Sequence, residues 1–277
     1  MCRALAEGGR RCDRDTGRLQ SLGHADLLPE SSDDRPEVTW SVPGHTEPPL
    51  AELWSPPEPS PGSPVQARPA PKAVVAEAVG TLHDVRAVEP EITSTVLNAL
   101  PPGARAHGLE FRLKSPSSLA RKIADRVRRT VQSENPQSPH DVASRLTDVV
   151  RYTVIAPDGD SLAPTARTVV TRMGRAGYKV VEAEHSYVEG SSYKGLHLLF
   201  EAPGGLRFEL QVHSELSQKV KDEIHVGYEK ARILPQGDPE RDRLVARMQA
   251  ATDSIPIPAK IRGMRKLGGI QVEKRKK

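Results

Sequence analysis

Two strand-like runs joined by a glycine turn decide the fold of this chain. Both lie in the stretch Tyr193-Lys-Gly-Leu-His-Leu-Leu-Phe-Glu-Ala-Pro-Gly-Gly-Leu-Arg-Phe-Glu-Leu-Gln-Val-His213. The Pro-Gly-Gly triplet in its middle predicts an antiparallel hairpin. Because successive side chains of a strand point to opposite faces, one face of this hairpin is apolar and should pack on a core. That face carries Leu196, Leu198, Phe200, Leu206, Phe208, Leu210 and Val212.

The other face of the hairpin gathers polar side chains, namely Tyr193, His197, Arg207, Glu209, Gln211 and His213. Joining the two apolar faces sets Phe200 opposite Phe208 and His197 opposite Gln211, because a slip of one residue would turn every side chain over. A solvated polar face is the commoner meaning of this pattern in an antiparallel sheet. The alternative is a site that uses the tyrosine, the histidines and the carboxylate together.

Helical and strand-like patterns alternate outside the hairpin as well. Further strands are predicted at 111–115, 149–155 and 178–188, and helices at 74–85, 92–100, 162–176 and 215–232. Another helix should begin at Ser115, a good N-cap that is followed by proline at the first helical position. Helices interleaved with strands predict an α/β (α+β) chain with a mixed β-sheet flanked by helices.

Composition separates the first quarter of the chain from the rest. Residues 1–72 are rich in Pro, Ser, Glu and Asp. They predict a disordered Pro-rich arm, since few apolar residues are present to offset the entropy of ordering. Residues 73–104 are interpreted as a helical lead-in, 105–234 as the main domain and 235–277 as a helix with a basic tail. Cys2 and Cys12, with His24, are a weak signal for part of a zinc site.

The charge and hydropathy of the 277 residues exclude few partners. The formal net charge is +4, which permits nucleotide, RNA or acidic partners without selecting one. No apolar run approaches the roughly 20 residues that cross a bilayer, and the first residues lack the apolar core of a signal peptide. Two cysteines fit a cytoplasmic protein. Secretion by a route that reads no such signal stays open.

Four blocks of sequence, in this order, resemble the synthetase domain of RelA/SpoT enzymes, including the small stand-alone synthetases and their toxin relatives. They are Arg112-Leu-Lys-Ser115 with Ser118 and Lys122 downstream, Asp148-Val-Val-Arg151, Tyr193-Lys-Gly-Leu-His197, and Glu209-Leu-Gln211 followed by Glu223-Ile-His225 and Tyr228. The resemblance implies a nucleotidyltransferase-like synthetase fold. It also implies transfer of pyrophosphate from ATP to the 3′-hydroxyl of an acceptor nucleotide, usually GDP or GTP, giving (p)ppGpp and AMP.

The same resemblance implies roles for individual residues. Asp148 and Glu209 would be catalytic and would hold Mg²⁺, a hard cation that favours one or two carboxylates with phosphate oxygens and water. Tyr193 would stack on the acceptor base, with Lys194, His197, Gln211 and His213 beside it. The phosphates of ATP would be bound by Arg112, Lys114, Ser118, Arg121, Lys122 and Arg151. For the basic residues, a solvated helix face is the alternative.

Two departures from the family pattern lie on the acceptor side. Ser191-Ser192 stands where housekeeping members usually have Asn-Gly, and His213 stands where they usually have arginine. Both favour the toxin-like branch, in which adenosine nucleotides or the 3′ end of tRNA are further acceptors. The basic stretch 262–277 would then help to bind RNA, although a solvated disordered tail is its commoner meaning. A homo-oligomer, an antitoxin partner and an inactive nucleotide-binding module also stay open.

Overall fold

The computed structural model describes residues 70–277. The predicted disordered arm therefore falls almost entirely outside the described residues, and so do Cys2, Cys12 and His24. Within 70–277, no helix has both the length and the apolar character needed to cross a membrane.

A mixed β-sheet forms the centre of this part of the chain. Its strands are β1 (Arg105–His107), β2 (Arg151–Ala156), β3 (Lys179–His185), β4 (Leu196–Glu201), β5 (Arg207–Ser214), β6 (Lys266–Leu267) and β7 (Ile270–Lys274). The strand order is β1-β2-β5-β4-β3-β7-β6. The pairs β2–β5 and β3–β7 are parallel, whereas the other neighbours are antiparallel. The predicted mixed α/β class is confirmed.

Seven helices lie before, between and after these strands in the described part of the chain. They are α1 (Lys72–Ala99), α2 (Pro116–Thr130), α3 (Pro139–Ala143), α4 (Leu162–Arg175), α5 (Glu215–Ala231), α6 (Pro239–Asp253) and α7 (Ala259–Arg262). The predicted start of α2 is confirmed: Ser115 accepts a hydrogen bond from the backbone N–H of Ser118, and Pro116 occupies the first turn. The helix α5 follows β5 directly and begins with a capping box formed by Ser214 and Ser217.

The hairpin of β4 and β5 has the predicted register. Phe200 lies opposite Phe208, Leu198 opposite Leu210 and His197 opposite Gln211. The apolar face is buried, and the rings of Phe200 and Phe208 stack with centroids 5.6 Å apart. Tyr152 of β2 packs edge-on against Phe208 at 5.8 Å. Because the apolar side chains occupy one face, the polar side chains of both strands are displayed on the other.

Three predictions about local structure were wrong. The helix α1 runs unbroken through Pro90, where two helices were expected. The run 111–115 is not a strand: it follows a short 3₁₀ turn at Leu109–Phe111 and makes a single bridge, from Leu113 to Val150. The stretch 262–277 is not a solvated tail, since β6 and β7 extend the sheet beyond β3.

Candidate active site

On the polar face of the hairpin, the hydroxyl of Tyr193 contacts two histidines. It lies 2.7 Å from Nε2 of His213 and 2.9 Å from Nε2 of His197. Both imidazole rings meet the tyrosine ring edge-on, with centroids 5.4 Å and 5.2 Å away. These contacts fix the hydroxyl end of the ring, while Tyr193 as a whole stays half-buried. The ring is therefore held in one orientation, which is what a stacking platform for a base requires.

Burial controls the protonation of this pair. It raises the pKa of the Tyr193 hydroxyl well above its usual value, with the negative charge of Glu209 adding to the effect. Burial also lowers the pKa of His213 well below its usual value, and the positive charge of Lys221 acts in the same direction. Tyr193 is thus a neutral phenol and His213 a neutral imidazole near pH 7. An arginine in place of His213 would bring a permanent charge to this point.

Glu209 continues the network along β5. Its Oε1 lies 2.6 Å from Nδ1 of His197 and accepts a hydrogen bond of 2.7 Å from Nε2 of Gln211. Burial alone would raise the pKa of this carboxyl, but the hydrogen bond and charge of His197, with the Gln211 amide, outweigh it and lower the pKa to about 2. Glu209 is therefore an ionised carboxylate near the start of β5. His197 connects it to Tyr193.

Asp148 forms a second centre, just before β2. Its Oδ2 accepts hydrogen bonds from Nζ of Lys122 at 2.5 Å and from Nζ of Lys114 at 3.0 Å. Burial would raise the pKa of the Asp148 carboxyl, but the two ammonium groups lower it to about 2. Its other oxygen, Oδ1, is buried and has no hydrogen-bond partner among residues 70–277. A buried oxygen of this kind marks a place where a ligand or ion would be stabilised.

The charge of Arg151 acts on both centres. Arg151 is exposed and pairs across the parallel strands with Glu209, so both side chains point to the polar face. Its positive charge contributes to the lowered pKa of Glu209. For Lys221, burial is the largest cause of the lowered pKa, and the charge of Arg151 is the second. Asp148 precedes Arg151 by three residues in the chain. Lys114, the partner of Asp148, has a pKa that is lowered mainly by burial and also by the charge of Arg151. Asp148 lies just before β2 and Glu209 lies opposite its first residue, so both carboxylates are close to the N-terminal end of β2.

Lys221 is a site residue that the sequence patterns missed. It projects from α5, and its Nζ donates a 3.0 Å hydrogen bond to Oε1 of Gln211. Burial and the neighbouring Arg151 lower its pKa to about 8. No sequence pattern marks it: its relation to the site follows from the structure, in which it lies one turn after Ser217, whose hydroxyl contacts His213. Residues four apart on a helix share a face.

The start of α2 brings three more predicted phosphate ligands to the Asp148 side. Ser118 lies in the first turn, Arg121 is exposed one turn later, and Lys122 reaches Asp148. The N-terminus of α2 thus combines the positive end of a helix dipole with basic side chains, an arrangement suited to phosphate.

Two predicted ligands are placed elsewhere. Arg112 is buried in an ion pair with Glu89 of α1, at 2.7 Å, which favours a structural role over phosphate binding. Lys194 is buried, and its Nζ donates to the backbone oxygen of Thr252 at the end of α6. Its neighbour Gly195 directly precedes β4, which contains His197. Of the predicted acceptor residues, the structure brings together Tyr193, His197, Gln211 and His213, without Lys194.

Comparison with known proteins gives structural similarities only. No protein-family model matches the sequence, and no curated protein is similar to it. Among solved structures, small alarmone synthetase 1 from Bacillus subtilis, bound to its product pppGpp, is 15% identical with a TM-score of 0.39, over 64% of this chain and 87% of that one. The Type VI effector Tas1, solved in complex with its immunity protein, is 18% identical with a TM-score of 0.34, over 66% and 94%.

A GTP pyrophosphokinase family protein from Streptococcus pneumoniae is 13% identical with a TM-score of 0.36, over 66% of this chain and 85% of that one. Similarities of this size assign no activity by themselves. What the site can do depends on its own side chains.

Proposed function

We propose that the chain is a pyrophosphokinase that transfers the β,γ-pyrophosphate of ATP to the 3′-hydroxyl of a guanosine nucleotide, GDP or GTP. The observation that carries the proposal is the presence of two ionised carboxylate centres near the start of β2, Asp148 with its lysines and Glu209 with His197. The first centre suits a polyphosphate donor. The second lies beside an oriented tyrosine ring, where an acceptor nucleoside would bind.

In the proposed reaction the 3′-oxygen of the acceptor attacks the β-phosphorus of ATP. The bond from that phosphorus to the oxygen bridging it to the α-phosphate breaks, and AMP leaves with the electron pair. The hydroxyl proton passes to solvent water as the new P–O bond forms. Lys114, Lys122 and Arg151 would offset the negative charge of the phosphates, so catalysis would consist mainly of positioning and charge neutralisation.

Glu209 is suited to orient the acceptor hydroxyl. With a pKa of about 2 it is a weak base but a good hydrogen-bond acceptor. In a loose phosphoryl-transfer transition state the attacking hydroxyl keeps its proton until late, so a strong base is not required. His197 fixes the carboxylate in place, and Tyr193, bonded to the same histidine, would hold the base by stacking.

Magnesium fits the Asp148 centre in one respect. Within 70–277 no cluster of three or more His, Cys, Asp or Glu side chains is placed to hold a metal unaided. Mg²⁺ needs only one or two carboxylates, however, when phosphate oxygens complete its shell. The unpartnered Oδ1 of Asp148 would supply one ligand and Glu209 is the second expected ligand. Bound there, the ion would neutralise charge on the transferred pyrophosphate.

A toxin-type acceptor is the second candidate, favoured by the acceptor-side departures. The neutral, buried His213 and the serines at 191 and 192 alter the part of the site that would recognise the acceptor. Adenosine nucleotides and the 3′ end of tRNA are the alternatives in that case. An inactive binding module is disfavoured because both carboxylate centres are intact. A homo-oligomer or an antitoxin partner stays a prediction.

The test is a transfer assay with ATP labelled in the γ-phosphate. The purified chain is incubated with Mg²⁺ and, separately, GDP, GTP, ADP, ATP alone or tRNA, and AMP release is measured in parallel. Label on a guanosine nucleotide with stoichiometric AMP supports the proposal. Label on adenosine nucleotides or tRNA alone supports the second candidate. Absence of AMP with every acceptor would overturn both and favour the binding module.

A further inference from the structure

The segment that follows β7 returns to the polar face of the sheet. The strand β7 runs parallel to β3, with Glu273 beside Glu184 and Lys274 beside His185. The backbone N–H of Arg275 then donates a 3.0 Å hydrogen bond to the oxygen of His185. Residues Arg275 to Lys277, called the basic segment below, consequently leave the sheet on the β3 side of Tyr193.

Ser191 and Ser192 hold the backbone of the basic segment. The backbone N–H and the hydroxyl of Ser192 donate to the backbone oxygen of Lys277 at 2.8 Å and 2.9 Å. The N–H of Lys277 donates to Oγ of Ser191 at 3.2 Å. These serines are the departure from the family pattern noted above. The hydroxyl of Ser192 makes a contact that the glycine of an Asn-Gly pair could not make.

The side chains of the basic segment surround the carboxylate of Glu184. Nζ of Lys277 lies 2.5 Å from Oε1, and Nε of Arg275 lies 2.9 Å from Oε2. Arg275 is also paired with Glu273, at 3.1 Å. Lys277 additionally lies over the ring of Tyr193, 5.8 Å from its centroid. Its ammonium thus occupies the approach to the surface on which an acceptor base would stack.

We propose that Lys277 binds the 5′-phosphates of a mononucleotide acceptor and so determines the preference for phosphorylated acceptors; this inference rests on the proposed function. A base stacked on Tyr193 must displace the ammonium from the ring. Because the backbone of Lys277 is pinned by the two serines, the displaced ammonium stays beside the bound nucleotide. A polyphosphate offers it a stronger partner than the ring does, in a contact of the charge-assisted kind.

Glu184, the present partner of the Lys277 ammonium, does not prevent Lys277 from binding a phosphate. Glu184 is shared with Arg275, which keeps its contact when Lys277 leaves. The exchange of partners therefore leaves no carboxylate unpaired. Lys276, the neighbouring cation, has its Nζ near Gly190 instead, and it provides a control of equal charge at an adjacent position.

The experiment measures acceptor kinetics of the full chain at saturating ATP. The acceptors are the triphosphate, diphosphate, monophosphate and free nucleoside of the base that the wild-type protein accepts. The proteins are wild type, Lys277→Ala, Lys277→Arg and Lys276→Ala. Lys277→Ala should raise KM for the triphosphate by about tenfold, the scale of one partly exposed charge-assisted hydrogen bond, with kcat nearly unchanged. Lys277→Arg should restore it, Lys276→Ala should resemble wild type, and KM for the nucleoside should not move.

Three results would overturn the inference. An unchanged KM in Lys277→Ala would remove Lys277 from acceptor binding. A lower KM would show that the side chain only blocks the ring. An equal rise with the nucleoside would show that it shapes the base site and does not contact phosphate. In each case transfer by the wild type leaves the proposed function standing, whereas a wild type that releases no AMP with any acceptor removes both.

Discussion

At the scale of single residues, Gly195 shows how the acceptor side is assembled. A Cβ at this position would lie 2.5 Å from the Tyr193 hydroxyl and 2.8 Å from Cε1 of His213, distances that no real side chain tolerates. The missing side chain lets the tyrosine ring fold back over its own strand and meet the two histidines. The glycine in Tyr193-Lys-Gly-Leu-His197 is thus required by close approach rather than by backbone conformation.

Glu209→Gln should abolish transfer and leave the fold intact. Glutamine keeps the size of the side chain and part of its hydrogen bonding, but it removes the negative charge that would orient the acceptor hydroxyl and help to hold Mg²⁺. We expect kcat to fall by at least about 10³-fold, measured by AMP release, with an unchanged circular dichroism spectrum.

Glu201→Gln is the matched control for this substitution. Glu201 also lies on β4–β5, but its carboxylate pairs with Arg207 at the outer end of the hairpin. The Glu201→Gln substitution removes one negative charge from the same pair of strands and leaves the contacts of His197 unchanged. Activity retained by Glu209→Gln would take Glu209 out of the catalytic role, and equal losses in both variants would point to general electrostatics.

Lys221→Arg should change the pH dependence of acceptor use. Burial lowers the pKa of Lys221 to about 8, so its ammonium is charged below that pH and loses its charge as pH rises through it. If the charge assists phosphate binding, kcat/KM should decline above about pH 8 in the wild type. Arginine does not titrate in this range, so the decline should move to higher pH in the variant. An identical alkaline limb in both proteins would assign the decline to another group.

At the scale of elements, α1 shows tertiary packing overriding a local rule. Proline removes a backbone donor inside a helix and usually ends or kinks it. The buried side chains of α1 nevertheless continue at spacings of three and four on both sides of Pro90: Val74, Ala78, Leu82, Val85, Glu89, Ile92, Thr93, Val96 and Ala99. One uninterrupted stripe therefore packs on α2, α3 and α4. Burial of this stripe outweighs the missing hydrogen bond.

The buried polar group on that stripe attaches α1 to the sheet. Glu89 is paired with Arg112 and accepts a 3.1 Å hydrogen bond from the hydroxyl of Tyr152 in β2. Thr93 is hydrogen-bonded to the same carboxylate. Arg112 lies two residues before Lys114, so this anchor also fixes the segment that carries Lys114 towards Asp148. Arg112 thus connects the packed core to the segment that carries the site residue Lys114.

Glu89→Ala should destabilise the protein strongly, because it leaves the buried guanidinium of Arg112 without its carboxylate. We expect a loss of about 3–5 kcal/mol in the free energy of unfolding, measured by urea denaturation. Glu91→Ala, an exposed glutamate on the same helix, should cost far less. The double variant Glu89→Leu with Arg112→Met should recover much of the loss, since it removes both charges. Equal losses for Glu89→Ala and Glu91→Ala would contradict this account.

At the scale of the whole molecule, residues 70–277 bury a continuous apolar cluster of their own. It extends from Val74 in α1 through the sheet to Val272 in β7. Strand β7 belongs to it because the turn after β6 packs closely: a Cβ on Gly268 would lie 2.4 Å from Val180 of β3. The basic end of the chain is therefore part of the folded unit.

A protein comprising residues 70–277 should fold alone and keep its transfer activity. Its apolar cluster and both carboxylate centres lie within that range, so removal of 1–69 should shift the thermal midpoint by no more than about 4 °C, the effect of a change in stability below 1 kcal/mol. Scanning calorimetry and the AMP assay on both proteins provide the check. Aggregation or a much lower midpoint would show that the preceding residues contribute to the folded core.

The sequence by itself determined the hairpin, its register and the contents of its two faces. The period of two along 196–201 and 207–214 allows only one arrangement that buries the large apolar side chains, and this fixes Glu209, Gln211 and His197 on the same face. It likewise determined the start of α2, because Ser115 and Pro116 act through local hydrogen bonds and backbone angles. Such features depend on neighbours in the chain, which the sequence displays.

Only the tertiary structure decided the contacts between distant segments. Whether Arg112 meets a phosphate or Glu89, whether Lys194 faces the acceptor or α6, and whether Lys277 is solvated or lies over Tyr193 all depend on residues 23 to 84 positions away in the chain. A long cationic side chain can reach solvent, a carboxylate or a ring with similar local energies. Its choice is made by which partner the fold brings near, and no local pattern records that.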